Sequence, residues 1–325
     1  AIPGVYQNLT SSRVLTMEFI EGEKGPWIEE GERLLTVGIQ CSVLQLLDSG
    51  FFHADPHRGN LLKTPDGKLG YLDFGMMAEV PEYRRYALMG TVLGLVNKDL
   101  SLVISSLKDL DFLPDGTNTT DVVDSLSFAI SQSTVGGSGS SLNFTKLNQN
   151  LEGMSTKLPF RLPPFYSLIV RSLTILEGLA LNVDPNFRLI KGAFPFVAKQ
   201  ILTSDNPELD KLVRAVIVDP EEGRIRWNRL EQLLSIVNNA NKALDGDFSA
   251  LQDAQERSDV RKSYIEGGMT EGPASDLTAD VILVCADYLL SDRGAVLREP
   301  LIEEIVDTID SLGLAAMTVA SITSN

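Results

Sequence analysis

The stretch "GFFHADPHRGNLLKTPDGKLGYLDFG", Gly50–Gly75, decides the fold of this chain and holds both of its histidines. Its second half has two extended segments around a Pro-Asp-Gly-Lys turn, a pattern that predicts a β-hairpin with strands at Asn60–Lys63 and Leu69–Leu72. Before it, apolar residues recur at helical spacing over Trp27–Asp48, and the glycine at position 50 is a good helix stop. The sequence therefore predicts a long amphipathic helix, a loop and a hairpin, in that order.

One interpretation of the two histidines is a transition-metal site. His53, Asp55 and His57 alternate along the chain, so in an extended strand they would share one face and could bind zinc or iron. However, Pro56 and Gly59 favour a bent loop, and the chain has no third histidine to complete a set of ligands. We therefore favour a loop whose shape matters more than its imidazoles, with His53 as a buried hydrogen-bonding residue.

The spacing of the other polar residues is the arrangement that a kinase-type phosphotransfer site needs. Asn60 follows Asp55 by five positions, and Asp73 stands in an Asp-Phe-Gly sequence at the end of the predicted hairpin. Magnesium takes oxygen ligands, which an amide and a carboxylate supply, and the hairpin would bring Asn60 and Asp73 side by side. We predict that these two residues bind Mg²⁺, that the metal counters the charge of ATP, and that Asp55 is the catalytic residue facing the terminal phosphate.

The chain is acidic, with 28 Lys and Arg against 44 Asp and Glu and a formal net charge of −16. Such a surface repels phosphate backbones, so nucleic acid is not an expected partner. The hydrophobic content of 43% is enough for one large or two smaller domains. No apolar run reaches the roughly 18 residues needed to span a bilayer, so we predict no transmembrane segment.

Outside Gly50–Gly75 the pattern is mainly helical, and strand content is low. The further predictions are a strand at Arg13–Phe19, a helix at Tyr83–Leu110, a mobile Gly/Ser-rich loop at Ser131–Ser141, a helix after Pro163-Pro164, and two helices within Leu277–Ala320. Arg171 and Glu177 lie six residues apart on one of these helices, so they do not face each other. We expect buried contacts from both to other elements, with a structural role.

Two segments together resemble a known family. "FFHADPHRGN" followed by "YLDFGMM" is similar to the signature of the UbiB-like, aarF-domain atypical kinases, with Arg58 where the family usually has proline. "LPPFYSLIVRSLTILEGLALNVDPNF" resembles the family's C-lobe helix with Leu-Glu-Gly followed by Asp-Pro. The tail, with "GRIRWNRLEQLL", looks most like the cyanobacterial and plastid branch.

The resemblance assigns further residues to nucleotide binding. "MEFI" is similar to a kinase hinge, which makes Met17 the gatekeeper and implies that the backbone of Glu18 and Ile20 hydrogen-bonds adenine. Leu62 would form the floor beneath the base, and His57 would lie near the phosphates, where protein kinases often carry lysine. These four residues are the predicted cofactor-binding set: Glu18, Ile20, Leu62 and His57.

The fold class implied is mainly α with a small β-hairpin, a protein-kinase-like C-lobe at 1–203 followed by a helical extension at 204–325. The function implied is that of an atypical kinase or ATPase that uses ATP and magnesium and supports prenyl-quinone or isoprenoid-lipid metabolism. A plastid location, at the thylakoid or plastoglobule, would follow, with the mitochondrion as the alternative. Lipids, quinone-pathway proteins and a membrane surface bound peripherally are the possible partners besides nucleotide.

Two other functions are compatible with the same residues. One is a small-molecule phosphotransferase of the aminoglycoside or choline kinase type, which shares a similar His-x-Asp-x-His-x-x-Asn loop, although the Leu-Glu-Gly helix argues against it. The other is a catalytically silent scaffold that binds a partner through its helical tail. After Asp-Phe-Gly, "MMAEVPEYRRYAL" enters a helix at once, which favours ATP hydrolysis or a small or lipidic substrate over a protein substrate.

A phosphate-covering loop, a strand lysine and a helix glutamate have no candidates before Arg13, since only twelve residues precede it. We interpret the 325 residues as the C-lobe portion of a longer kinase-like protein. We therefore expect magnesium-ATP to raise the melting temperature of these residues alone very little, and that of the full-length protein clearly.

Overall fold

The computed structural model describes most of the chain, and the following account concerns those parts. They are residues 1–25, 27, 31–114, 116–117, 119–134, 142–154, 160–204, 206–220, 222–244 and 288–306. Contacts divide the chain into two compact units, Ala1–Val197 and Ala198–Asn325, and the division falls inside a helix. The predicted domains, 1–203 and 204–325, stay a prediction.

The described residues are mainly helical, and their strands form two small antiparallel sheets, which confirms the predicted fold class. The helices are α1 Gly31–Leu44, α2 Glu82–Asn97, α3 Leu100–Asp109, α4 Thr119–Ser133, α5 Phe144–Met154, α6 Pro164–Leu181, α7 Leu189–Thr203, α8 Pro207–Ile217 and α9 Trp227–Leu244. The strands are β1 Phe51–His53, β2 Leu61–Lys63, β3 Leu69–Tyr71 and β4 Met77–Glu79.

The predicted hairpin is present as β2 and β3, which pair in the register Leu61 to Tyr71. Its turn depends on Gly67, whose φ of 76° lies in the left-handed region that glycine adopts without strain. One face of the hairpin packs against α1, where Leu34, Leu61, Leu69 and Tyr71 form a buried cluster. This packing holds the hairpin, and therefore both of its ends, on a rigid helix.

The predicted helix over Trp27–Asp48 corresponds to α1 and a following π-helical turn at Gln45–Ser49. Gly50 ends it with a φ of 74°, as expected for a left-handed helix stop. The chain then runs directly into β1. Strand β1 pairs with β4, which follows the Asp-Phe-Gly sequence, in the register Phe52 to Ala78.

Two element predictions were wrong. Arg13–Phe19 is not a strand: Arg13 lies in a turn, and Val14 and Met17 make isolated bridges, because most of these residues are exposed and do not pack into a core. Tyr83–Leu110 is not one helix but two, α2 and α3. Lys98 ends α2 with a φ of 56°, and the side chain of Asp99 caps α3 by accepting a hydrogen bond from the N–H of Leu102 at 3.0 Å.

Other predictions fall partly outside the described residues. The Ser131–Ser141 segment begins with the end of α4, and its residues 135–141 lie outside them. Within Leu277–Ala320, residues 288–290 and 295–306 are helical on either side of Ser291–Gly294, and the remainder lies outside the described residues. Helix α6 begins at Pro164, where the sequence predicted a helix.

Helix α6 links the site to the rest of the first unit. Among the described residues, α6 is the helix that is long and apolar enough to cross a membrane, by length and composition only. Core helices of water-soluble proteins have the same length and composition. Helix α6 packs against α1 and α5. Glu177 on α6 is fully buried and accepts hydrogen bonds from the backbone N–H groups of Phe144 and Thr145, both at 2.9 Å. This carboxylate caps the N-terminus of α5.

The second unit has its own organisation. The segment between α8 and α9 forms a narrow loop, closed by a bridge between Val218 and Ile225. Arg226 donates two hydrogen bonds to Asp219 at its base. The indole N–H of Trp227 donates to Glu304 at 3.1 Å, so the C-terminal helical residues pack on the start of α9.

Candidate active site

His53 connects the loop at Asp55 to the end of the hairpin at Asp73. It is 1% exposed. Its Nδ1 accepts a hydrogen bond from the backbone N–H of Asp55 at 3.0 Å, and its Nε2 lies 2.6 Å from the carbonyl oxygen of Asp73. Because Nδ1 accepts, Nε2 must carry the proton and donate to Asp73, which defines the tautomer. One imidazole therefore ties the loop aspartate to the Asp-Phe-Gly aspartate.

This arrangement argues against the transition-metal interpretation. Both ring nitrogens of His53 are used by backbone groups of the protein, so neither is left for a metal. In the parts of the chain that the structure describes, no group of three or more His, Cys, Asp or Glu side chains is placed to hold a metal ion. His53 is a structural residue of the loop, as the sequence suggested.

Asn60 and Asp73 stand at the open end of the hairpin. The carbonyl oxygen of Asn60 accepts a hydrogen bond from the N–H of Leu72 at 3.0 Å, which continues the β2–β3 pairing by one step. Asp73 follows directly, and its Oδ1 accepts a hydrogen bond from the N–H of Gly75 at 2.8 Å. The amide nitrogen of Asn60 lies 3.5 Å from the carbonyl oxygen of Asp55. The three predicted residues thus belong to one hydrogen-bonded network.

The carboxylate of Asp55 has two neighbouring side chains with nitrogen donors, Arg171 and His57. Its Oδ1 lies 3.1 Å from Nη2 and 3.4 Å from Nε of Arg171, and its Oδ2 lies 3.8 Å from Nε2 of His57. The Asp55 side chain is 14% exposed, whereas that of Arg171 is 51% exposed. The sequence did not indicate this pairing, because Arg171 lies on α6, 116 residues further along the chain.

Arg171 and Glu177 therefore contact other elements, as expected, but in different ways. Glu177 is buried against the start of α5, while Arg171 is half-exposed and reaches Asp55 in the predicted catalytic loop. The neighbouring Ser172 is buried and donates from its hydroxyl to the carbonyl oxygen of His53 at 2.9 Å. Two consecutive residues of α6 thus hold the loop. The prediction of a buried contact for Arg171 was wrong, because its guanidinium stays accessible at the rim.

The predicted hinge lies beside the N-terminal residues. The N–H of Glu18 donates to the carbonyl oxygen of Gly4 at 2.7 Å, and its carboxylate accepts from the N–H of Gly4 at 3.1 Å. The carbonyl of Glu18 and the N–H of Ile20 make no backbone hydrogen bond within the described part of the chain. Met17 is 39% exposed. The adenine contacts of this segment stay a prediction.

The hinge segment joins the hairpin at Leu62. Glu23 and Lys63 exchange two backbone hydrogen bonds, at 2.8 and 2.9 Å, so the residues after the predicted hinge run along β2. Leu62 is 4% exposed, and a Cβ atom at Gly22 would lie 2.5 Å from its Cδ1 and 2.5 Å from the carbonyl oxygen of Lys63. Only glycine fits at position 22, a requirement that the sequence pattern did not reveal.

The remaining loop residues are on the surface. His57 is half-exposed, and its Nδ1 accepts a hydrogen bond from the N–H of Gly59 at 3.0 Å. Arg58 is exposed. A phosphate contact by His57 stays a prediction. After Asp73, the N–H of Ala54 donates to the carbonyl oxygen of Met76 at 2.9 Å, so strand β4 rather than a helix comes first, and α2 begins only at Glu82.

Comparison with known proteins indicates the kind of domain that the chain contains. Residues 1–107 match the family model described as the ABC1 atypical kinase-like domain. The chain is 38% identical to the uncharacterised protein sll0005 of Synechocystis, over 96% of this chain and 42% of that protein. It is 44% identical to the chloroplastic protein ACTIVITY OF BC1 COMPLEX KINASE 3 of Arabidopsis thaliana, over 77% of this chain and 35% of that protein.

A second Arabidopsis protein, the chloroplastic aarF domain-containing protein kinase At1g71810, is 33% identical over 97% of this chain and 42% of its own length. The chain thus spans less than half of the length of each of these relatives. The matched region contains the predicted hinge segment, the predicted catalytic loop and the hairpin. Residues 1–107 therefore form an ABC1 atypical kinase-like domain, and the relatives of the chain include cyanobacterial and chloroplast proteins.

Proposed function

We propose that the chain carries the catalytic loop and metal-binding hairpin of an atypical kinase or ATPase that uses magnesium-ATP. The observation that carries the proposal is the hydrogen-bonded link from Asp55 through His53 to Asp73, closed by the pairing of Asn60 with Leu72. A phosphotransfer site requires these three polar side chains to be held together on a rigid base.

The donor set at the end of the hairpin fits magnesium. Asp73 is exposed, and only its Oδ1 is used by Gly75, which leaves Oδ2 available to a hard cation. With its Nδ2 turned to the carbonyl of Asp55, the amide of Asn60 has its oxygen as the remaining ligand atom. When bound, Mg²⁺ would offset the charge of the phosphates, and Asn60 and Asp73 are the residues that would hold it.

Asp55 has the position of a residue that orients the attacking group. Its Oδ1 is held by Arg171 and its backbone N–H by His53, so Oδ2 is the atom that remains for an attacking hydroxyl or water. The carboxylate is mostly shielded, which limits its motion. In the proposed reaction it would accept a hydrogen bond from the nucleophile and align it with the terminal phosphate.

A small or lipidic substrate, or hydrolysis of ATP, is favoured over phosphorylation of proteins. Only residues 74–81 separate Asp73 from α2, and three of them form β4, which is paired with β1. A protein substrate would find no long activation segment on which to dock. We propose a role in prenyl-quinone or isoprenoid-lipid metabolism, with peripheral contact to membranes or to proteins of that pathway.

We infer a plastid as the location, at the thylakoid or plastoglobule. The support is that the Arabidopsis relatives carry names that describe them as chloroplastic. Fusion of a fluorescent protein to the C-terminus of the full-length protein, followed by microscopy and fractionation, tests this. Fluorescence in mitochondria would contradict it.

The decisive test is magnesium-dependent ATP turnover by the full-length natural protein, compared with its Asp73→Asn variant. We expect the substitution to lower turnover on the order of 100-fold, because it removes a charged metal ligand. Asp124→Asn is the matched control, since Asp124 is an exposed aspartate on α4, outside the loop and hairpin. Equal turnover in all three proteins, or none in the wild type, would refute the proposal.

Product analysis separates the alternatives. Phosphorylation of an aminoglycoside, choline or another small alcohol would favour the small-molecule phosphotransferase. An Asp73→Asn variant that fully complements a deletion strain would favour the silent scaffold. We expect neither result. We expect instead release of phosphate that increases with prenyl lipid or quinone precursor in the assay.

A further inference from the structure

Arg171 lies at the edge of the site and makes a specific contact with the carboxylate of Asp55. Its guanidinium directs two N–H groups, Nε and Nη2, at a single oxygen of Asp55, at 3.4 and 3.1 Å. The side chain is half-exposed, so it could have extended into solvent instead. Both contacts are to Oδ1 of Asp55, whereas His57 lies nearest Oδ2.

The backbone that carries Arg171 is tied to the same loop. Ser172 is 2% exposed, and its hydroxyl donates to the carbonyl oxygen of His53. Helix α6 therefore contacts the loop at two points, through Ser172 at the backbone of His53 and through Arg171 at the carboxylate of Asp55. The position of the guanidinium relative to Asp55 is therefore set by α6, not by the loop.

The charges explain why such a residue is needed. Asp55 and Asp73 give the site two carboxylates, and the terminal phosphate of a nucleotide brings further negative charge to the same place. In the described part of the chain, Arg171 and His57 are the ion-pair partners of Asp55, and only arginine is charged at every physiological pH. Without it, the carboxylate and the phosphate would repel each other at short range.

We propose that Arg171 is a positioning residue that orients the carboxylate of Asp55 and offsets its charge beside the terminal phosphate of a nucleoside triphosphate. The inference rests on the proposed function and deepens it. It assigns to α6 the role of supplying a fixed positive charge to the catalytic loop. A nucleoside diphosphate lacks the terminal phosphate, so its affinity should change little when Arg171 is replaced.

A purely structural ion pair makes a different prediction. If Arg171 only ties α6 to the loop, its removal would weaken the fold and lower the affinities for tri- and diphosphate equally. The ratio of the two affinities is therefore the informative quantity. A neutral residue at position 55 should also remove the need for the arginine, because no carboxylate charge remains to be offset.

The experiment measures the dissociation constants of magnesium-ATP and magnesium-ADP for the full-length protein by calorimetry. The variants are Arg171→Gln, Arg171→Lys, Asp55→Asn and the double variant Arg171→Gln with Asp55→Asn. Arg161→Gln is the matched control, because Arg161 is exposed, lies ten residues away and is not among the ion-pair partners of Asp55. Melting temperatures verify that each variant is folded.

We expect Arg171→Gln to weaken ATP binding by roughly tenfold, the size of one lost interaction with a charged group, and to change ADP binding less than twofold. Arg171→Lys keeps the charge, so it should retain most of the ATP preference. The double variant should lose less ATP affinity than Arg171→Gln alone. The control should behave as wild type.

Each other outcome has a definite meaning. Suppose that the wild-type protein binds magnesium-ATP. If Arg171→Gln then weakens ATP and ADP binding equally, or changes neither, the role of Arg171 is refuted while the proposed function stands. If the double variant loses as much as or more than Arg171→Gln, charge compensation is refuted. If the wild-type protein binds no magnesium-ATP, both the proposed function and this inference are refuted.

Discussion

The Nε2 atom of His53 lies 2.6 Å from the carbonyl oxygen of Asp73, a residue twenty positions further along the chain. The same ring accepts the N–H of Asp55 on its other nitrogen. Because the imidazole is 1% exposed, water cannot replace it at either contact. The spacing between the loop and the end of the hairpin therefore depends in part on this side chain, beside the backbone hydrogen bonds of Leu72 to Asn60 and of Ala54 to Met76.

The two histidines allow a matched test of this dependence. We expect His53→Ala to lower the free energy of unfolding by about 3 kcal/mol, because it leaves the partly buried N–H of Asp55 and carbonyl of Asp73 without their partner and opens a cavity at a buried side chain. His57→Ala, at a half-exposed residue, should change it by less than about 0.5 kcal/mol. Urea denaturation followed by fluorescence gives both values. Equal effects of the two substitutions would contradict the bridging role of His53.

Gly22 provides a test of how the hinge joins the hairpin. Alanine at this position would meet Leu62 and the backbone of Lys63 at 2.5 Å, so the segment must move. We expect Gly22→Ala to cost about 1–3 kcal/mol, as overpacking does elsewhere. Trp27 reports the change, since its indole donates to the carbonyl of Glu23 at 2.9 Å. A Trp227→Phe background isolates its fluorescence.

The control for that substitution is Gly178→Ala. A Cβ atom there meets nothing within 4 Å, and Gly178 lies inside α6, where alanine is the better helix former. We expect no loss of stability from it. A Gly22→Ala protein as stable as the wild type, with unchanged Trp27 emission, would show that the close approach of the hinge to β2 is not required.

Glu177 should stabilise the first unit through α5. It accepts from two backbone N–H groups, at Phe144 and Thr145, and from the hydroxyl of Thr145 at 2.5 Å. We expect Glu177→Ala to cost about 2–3 kcal/mol, because these buried donors lose their acceptor. Glu177→Gln should cost less, since its amide oxygen can still accept. Circular dichroism during urea denaturation measures both, and equal losses would contradict the expected contribution of a neutral acceptor oxygen at this position.

The hairpin turn should make stability depend on pH in the acid range. The hydrogen bond from Lys68, and then that from Thr64, lowers the pKa of Asp66 from 3.8 to about 2. Because the folded pKa lies below the unfolded one, the stabilisation is present above pH 4 and is lost as pH falls from about 4 to about 2. Asp66 is exposed, so salt should reduce the effect.

We expect Asp66→Asn to be less stable than wild type at pH 6 and to lose less stability between pH 4 and pH 2. Thermal melts in low salt across that range measure the difference. Wild-type and variant curves that stay parallel from pH 6 to pH 2 would contradict the contribution of this carboxylate to the turn.

Local patterns were sufficient for much of the site. The Thr-Pro-Asp-Gly-Lys turn specifies a hairpin through its own chemistry, since Gly67 adopts a positive φ and Thr64 accepts the N–H of Lys68 at 2.9 Å. The spacing of apolar residues in α1 and the glycine after it likewise predicted the helix and its end. For these reasons the order of helix, loop and hairpin, and the relation of Asn60 to Asp73, followed from adjacent residues.

Failures occurred where an outcome depended on residues far away or on competing local signals. A strand at Arg13–Phe19 needs a continuous partner and a packed face, and the segment has only isolated bridges. The break between α2 and α3 had a local signal, the Asn-Lys-Asp sequence, whose aspartate caps α3. The prediction followed the helical spacing of apolar residues on both sides of this sequence and therefore missed the break.

By itself the sequence determined which residue types stand in the loop and hairpin, because turns, helix ends and metal-ligand chemistry depend on near neighbours. Tertiary structure alone decided that Arg171 and Ser172 of α6 hold that loop and that Gly22 must lie against Leu62. Those contacts join segments up to 119 residues apart. Packing of a helix against a hairpin sets them, and no local period or motif encodes which side chains then meet.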